Sequence, residues 1–135
     1  MAWTKLIPPT EITNGVTEAG VKFAEEFGTY LAKSGDMTTN GKVVQPLTTS
    51  QLRRFFGEVK RQQMNKEFNK TEFILLKPKL AYAVGRAREK GQSKITDFNT
   101  VIADAIDKVT DGKQFKNFVN IFEAIVAYHK AAGGK

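Results

Sequence analysis

Apolar side chains return every three or four residues along most of this chain, and no segment alternates apolar and polar positions over a convincing length. That is the period of helices rather than of strands, and it divides the chain into five segments. The first covers residues 16–33, with Val21, Phe23, Ala24, Phe27 and Leu31 as its apolar face. Gly20 and Gly28 interrupt it, each at a cost of about 1 kcal/mol relative to alanine in a helix interior. The second opens on a local signal: Thr48 and Gln51 stand in capping-box relation, and Leu47 and Leu52 occupy the two staple positions around them. Leu52, Phe55, Phe56 and Val59 continue it, and the pattern predicts an end near Phe68.

Residues 71–76 fit either a single helical turn or an extended connection. Pro78 predicts the start of the third helix, because proline suits the first helical position and disrupts an interior. This helix ends before Gly91 and carries Leu80, Val84 and Ala87 on its core face, with Tyr82 and Ala83 alongside. The fourth, residues 96–110, has Phe98, Val101, Ile102, Ala105, Ile106 and Val109 on one stripe, and Asp97 in its first turn where the helix dipole favours an acid. The fifth, residues 114–131, repeats the spacing with Phe115, Phe118, Val119, Phe122, Ile125 and Val126. Residues 34–46, with Gly35, Asp36, Asn40 and Gly41, read as a loop, and residues 1–15, with Pro8 and Pro9, as an extended arm. The expected fold class is all-α: a compact, single-domain bundle of about five helices over residues 16–135.

Composition agrees and removes several classes of function. The 135 residues are 41% hydrophobic and 26% charged, which suits one ordinary globular domain. No run of eighteen apolar residues offers a membrane span. The first eighteen residues lack the basic and apolar regions of a secretory signal. With no cysteine there is neither a disulfide framework nor a thiolate. A cytoplasmic protein without membrane association is expected.

Chemistry for catalysis is missing. His129 is the one histidine, and it falls beside the apolar stripe of the fifth helix with no nucleophile or orienting group at a telling spacing. Asp104 and Asp107, three apart, could hold a hydrated Mg²⁺, but they read more simply as a polar outer face. No glycine-rich phosphate loop is present. No catalytic residue, metal ligand or cofactor is assigned, and the chain is not read as an enzyme.

Charge carries more. The net charge is +7, and it is concentrated: residues 48–94 hold twelve Lys and Arg against four acids, whereas the segments on either side are close to neutral. A polyanion is the natural partner for such asymmetry. On the second helix Arg53 and Lys60 are seven apart and nearly eclipsed, and Arg54 and Arg61 repeat the spacing one position along. On the third, Lys79, Arg86 and Lys90 fall on one stripe, and Lys77 and Arg88 share another. Lys77 and Lys79 also sit at a helix start, where the dipole disfavours cations and the free amides make an anion site. A local rule broken without local compensation tends to mark function. Such side chains would grip the phosphate backbone, so binding should be salt-sensitive and independent of sequence. Tyr82 could stack on a base, but beside the core stripe it reads as a packing residue.

Three segments carry a family resemblance. LTTSQLR at residues 47–53, LKPKLAY at 76–82 followed by Gly85 and Arg86, and FEAIVAY at 122–128 resemble, in order and spacing, motifs of the small subunit of the type III-A CRISPR effector, the Csm complex. The resemblance covers residue 47 to the end. It implies a helical, non-nuclease subunit that stacks in several copies as an inner filament along guide and target RNA in antiviral defence. Its implied partners are further copies of itself and the backbone and large subunits. The motif cations are Arg53, Lys77, Lys79 and Arg86; helical geometry adds Arg54, Lys60 and Arg61 as RNA-binding candidates. The analogous small subunit of the type III-B complex, a helical DNA-binding regulator and a purely protein-binding scaffold remain as alternatives.

Overall fold

The computed structural model describes residues 3–35, 41–89, 91 and 93–135. Among these it contains seven helices: α1 (Pro9–Thr13), α2 (Glu18–Ala32), α3 (Thr49–Gln63), α4 (Lys70–Ile74), α5 (Leu76–Arg88), α6 (Ile95–Lys108) and α7 (Gly112–Ala131). The five long ones are those the periodicity predicts. Their apolar faces converge on one core containing Phe27, Phe73, Phe98, Phe118 and Phe122, all fully buried. The all-α, single-domain expectation holds. Of the loop at residues 34–46, positions 36–40, including Asp36 and Asn40, lie outside the described residues. An isolated parallel bridge between Gln45 and Ser93 ties its end to the start of α6.

The most extensive helix contact is α2 against α7, and it explains the two glycines that weaken α2. At Gly28 a Cβ would stand 2.8 Å from both the amide nitrogen of His129 and the carbonyl oxygen of Ile125. Only glycine lets the two backbones approach that closely. At Gly20 a Cβ would collide with the buried Glu11 side chain. The Glu11 carboxylate accepts bonds of 2.7 Å from the backbone N–H and from the hydroxyl of Thr17, the N-cap of α2. Val21, expected on the apolar face, is exposed instead.

Glu11 belongs to a segment read as an extended arm. Pro9 starts a turn of helix there, because its fixed φ and missing N–H cost nothing at a first position. Ile7 and Ile12 anchor the segment in the core, and Asn117 Nδ2 donates to the Ile12 carbonyl at 2.8 Å.

The capping box at α3 forms in both directions: the Gln51 N–H donates to Thr48 Oγ1 at 3.1 Å, and the Thr48 N–H to Gln51 Oε1 at 2.9 Å. Both staple residues, Leu47 and Leu52, are buried. The helix stops at Gln63 rather than near Phe68. A second start follows at once, with the Asn69 side chain accepting from the Glu72 N–H to cap α4. Phe68 turns inward onto Phe73 and Phe115, with ring centroids 5.6 and 5.1 Å away. The ambiguous segment 71–76 is thus helical. Leu75 alone separates α4 from α5, which begins two residues before Pro78. Proline is tolerated at this third position because the first amides of a helix lack intrahelical acceptors. Its ring would clash with the carbonyl of Ile74 four residues earlier in a continuous helix, and Ile74 is where α4 ends. Asp111 likewise starts α7 two residues ahead of expectation, accepting from the Gln114 N–H at 2.8 Å.

His129, beside the apolar stripe in the sequence, is fully buried in the fold. Its Nε2 lies 2.7 Å from the Leu47 carbonyl oxygen, so that nitrogen carries the proton and donates. This bond fixes α7 to the chain entering α3. The Thr49 hydroxyl closes the same corner by donating to the Gly134 carbonyl at 3.1 Å.

Candidate nucleic-acid interface

A groove of about 720 Å³ opens between α3 and α5. Phe55 and Ile95, both buried, and the half-buried Ala83 and Ala87 give it an apolar floor. The α3 wall carries Arg54 and Glu58; the α5 wall carries Lys79, Tyr82 and Arg86. Three of the seven candidate cations, Arg54, Lys79 and Arg86, therefore meet in one concave feature. Arg53, Lys60 and Arg61 lie on α3 outside it, and Lys77 lies on α5 outside it. Lys90, expected on the Lys79/Arg86 stripe, is outside the described residues. Lys94, counted among the central cations, is buried rather than presented: its Nζ donates to the Tyr30 carbonyl at 2.5 Å and sits 3.8 Å from the Tyr30 ring centroid.

The cations differ in what already neutralises them. Lys77 Nζ is 2.6 Å from Asp107 Oδ1, and Lys79 Nζ is 3.2 Å from Glu58 Oε1. The compensation that the local sequence lacks is thus supplied from 30 and 21 residues away, and neither lysine at the helix start is uncompensated. Arg61 bonds Glu58 through Nη2 at 2.7 Å and Nε at 3.1 Å, and also reaches Glu72 on α4. Lys60 stands 3.8 Å from Glu123 on α7. Among the described residues, Arg53, Arg54 and Arg86 have no acidic group within 4.0 Å, and all three are exposed. The acid of the groove, Glu58, is held fully ionised. Its pKa falls from an ordinary 4.5 to about 2, chiefly through the Arg61 guanidinium, against the opposing effect of burial and with help from Lys79 and Gln62. The same contacts with Glu58 and then Glu72 raise the Arg61 pKa further above its ordinary range.

Two residues were missed or misjudged in the sequence. Tyr82 is 70% exposed on the groove rim and, among the described residues, makes no ring contact or hydrogen bond. The signal was available: Tyr82 is two residues from both Leu80 and Val84, which turns it about 200° away from the core stripe. Gly57 sits on the exposed face of α3, and nothing lies within 4 Å of where its Cβ would be. Its helix-surface neighbours at three and four residues on either side are Arg53, Arg54, Lys60 and Arg61. A helix glycine without a packing reason, ringed by four cations, leaves the α3 backbone open to close approach from outside.

Asp104 and Asp107 are engaged with Lys108 and Lys77, and among the described residues no cluster of three or more His, Asp or Glu could hold a metal ion. No described helix is long and apolar enough to cross a membrane.

The three motif segments now have places. LTTSQLR builds the cap that launches α3; LKPKLAY with Arg86 makes the α5 wall; FEAIVAY places Phe122 and Ile125 in the core of α7 and Glu123 beside Lys60. The family model described as Csm2 Type III-A matches residues 17–135. The chain belongs to the Csm2 family. It is thus a small subunit of the type III-A CRISPR effector, which decides between the III-A and III-B alternatives. The match begins upstream of the first motif and takes in α2. No curated protein and no solved structure matches the chain.

Proposed function

We propose that this Csm2-family chain is a non-catalytic cytoplasmic subunit that holds guide and target RNA by the phosphate backbone, without reading sequence. In this reading it stacks on copies of itself as an inner filament beside the backbone and large subunits, in antiviral defence. The observation that carries the RNA role is the pair of arginines, Arg54 and Arg86, facing one groove from two helices with no acidic partner among the described residues. An exposed guanidinium without a carboxylate presents its fork of donors to a phosphate. Lys79 joins them from the α5 wall, and Arg53 extends the surface along α3 beside Gly57, where a phosphate strand can come against the helix without meeting a side chain. Lys60, Arg61 and Lys77 flank this surface with their charge partly spent on Glu123, Glu58, Glu72 and Asp107. Amide side chains are few among these cations, and Gln51, which lines the groove, has its Oε1 committed to the Thr48 N–H, which argues against base readout and against the DNA-regulator alternative.

The test is RNA binding by the purified chain over a salt series. For single-stranded RNA each phosphate contact contributes about −0.7 to the log–log slope, so Arg53, Arg54 and Arg86 together give roughly −2, to which Lys79 adds where phosphate displaces Glu58. Arg53→Ala, Lys79→Ala and Arg86→Ala each flatten the slope without loss of helicity. A wild-type chain that binds no RNA at low salt would sink the reading in favour of a protein-only scaffold.

A further inference from the structure

We infer that the groove between α3 and α5 takes one unpaired nucleotide of the RNA, its base stacked on Tyr82 and its flanking phosphates held by Arg54, Lys79 and Arg86. The inference rests on the RNA-binding reading above and goes beyond it, because a surface that holds only a phosphate backbone needs neither an aromatic rim nor an apolar floor.

Four features of the groove distinguish it from a plain cationic track. Its volume of about 720 Å³ falls within the range of about 300–1,000 Å³ typical of small-molecule sites, which suits a nucleotide and is far too small for a duplex. The floor of Phe55, Ala83, Ala87 and Ile95 presents carbon to whatever enters, and the flat face of an unstacked base has the matching chemistry. Tyr82 is a large ring held 70% exposed at the rim, with no aromatic neighbour among the described residues. Its exposure is not forced by crowding elsewhere, since α5 already buries Leu76, Leu80 and Val84 in the core. On α5 the spacing of Lys79, Tyr82 and Arg86, three and then four residues, puts a cation on either side of the ring along one helix face.

Glu58 completes the arrangement. It is ionised, half-buried and bonded to Arg61 and, across the groove, to Lys79. Its Oε1 is taken up by Arg61, Lys79 and Gln62, while its Oε2, which among the described residues accepts only from Arg61 Nε, has capacity left for a base N–H. The polarity therefore favours entry base-first, with the phosphates kept at the rim where Arg54 and Arg86 have no acid to satisfy. Stacking on an aromatic ring is tolerant of base identity, so the site adds no sequence specificity.

The experiment compares binding of a single-stranded RNA oligomer with that of an abasic ribose-phosphate oligomer of equal length, to wild type, Tyr82→Ala and Tyr82→Phe, each checked for unchanged helicity. Stacking of one base is worth about a 5- to 150-fold preference. Wild type and Tyr82→Phe should prefer the base-bearing oligomer by a factor in that range. Tyr82→Ala should bind the two equally, with the salt slope of wild type. Equal binding of both oligomers by wild type, or a Tyr82→Ala loss shared equally by both, overturns the nucleotide site while leaving the backbone-binding reading intact. Failure of wild type to bind either oligomer at low salt removes both.

Discussion

Gly28 and Gly57 are both glycines inside long helices, and the structure assigns them opposite responses to the same substitution. Alanine gains about 1 kcal/mol over glycine in a helix interior. At Gly57 nothing lies within 4 Å of the new methyl, so Gly57→Ala keeps that gain and stabilises the fold. At Gly28 the methyl would stand 2.8 Å from two backbone atoms of α7, His129 N and Ile125 O, and 2.9 Å from Tyr128 Cβ. Backbone cannot rotate away as a flexible side chain can, so α2 must move off α7. Overpacking of this kind costs about 1–3 kcal/mol, sometimes more, and α2 against α7 is the largest helix contact in the fold. Net of the propensity gain, Gly28→Ala should destabilise by up to about 2 kcal/mol. For a domain of this size that is a fall of up to about 10 °C in Tm, against a rise of roughly 3–5 °C for Gly57→Ala. Thermal and urea unfolding followed by far-UV circular dichroism read both. If Gly28→Ala is as stable as Gly57→Ala, the close α2–α7 crossing is wrong.

Other outcomes follow from the same contacts. Gly57→Ala, though more stable, should bind RNA several-fold more weakly, because the methyl stands where the strand meets α3; an affinity equal to wild type in the same salt series removes Gly57 from the interface. Thr48→Ala removes one arm of the capping box and should cost about 1 kcal/mol in the urea-derived unfolding free energy, and no loss would contradict the reciprocal cap. Glu58 has a folded pKa of about 2 against an ordinary 4.5, so its stabilising contribution is complete above about pH 4.5 and disappears as the pH falls towards 2. Wild type should exceed Glu58→Gln in Tm at pH 6 and converge with it near pH 2; a constant gap across that range would show that the Arg61 and Lys79 contacts are not its source.

What the sequence revealed and what it withheld divide by distance along the chain. The α3 cap was legible because Thr48 and Gln51 are three residues apart and need no tertiary context, and the same is true of the heptad-spaced core of α6 and α7. The partners of Lys77 and Lys79 were not, since Asp107 and Glu58 come near them only when α5 packs against α6 and faces α3 across the groove. The purpose of Gly20 and Gly28 was hidden for the same reason: Glu11, Ile125 and His129 reach them only in the folded bundle. Tyr82 is a different case. Its outward direction follows from its angle to Leu80 and Val84 on the helix, which local geometry alone supplies. Helical spacing was enough to place Lys79 and Arg86 on one face of α5, but which cations remain unpaired needed the fold.

The central claim is that RNA lies against the groove face rather than being drawn generally to a basic chain, and two double variants of equal charge test it. Arg54→Ala/Arg86→Ala removes the two groove arginines that lack acidic partners among the described residues, whereas Lys60→Ala/Lys77→Ala removes two cations already beside Glu123 and Asp107. In the same single-stranded RNA titration, the groove pair should weaken binding strongly and flatten the log–log salt slope by about 1.4, two contacts at 0.7 each. The lysine pair should leave the slope close to wild type. Equal losses from both pairs would mean that net charge alone governs binding, and would contradict the account.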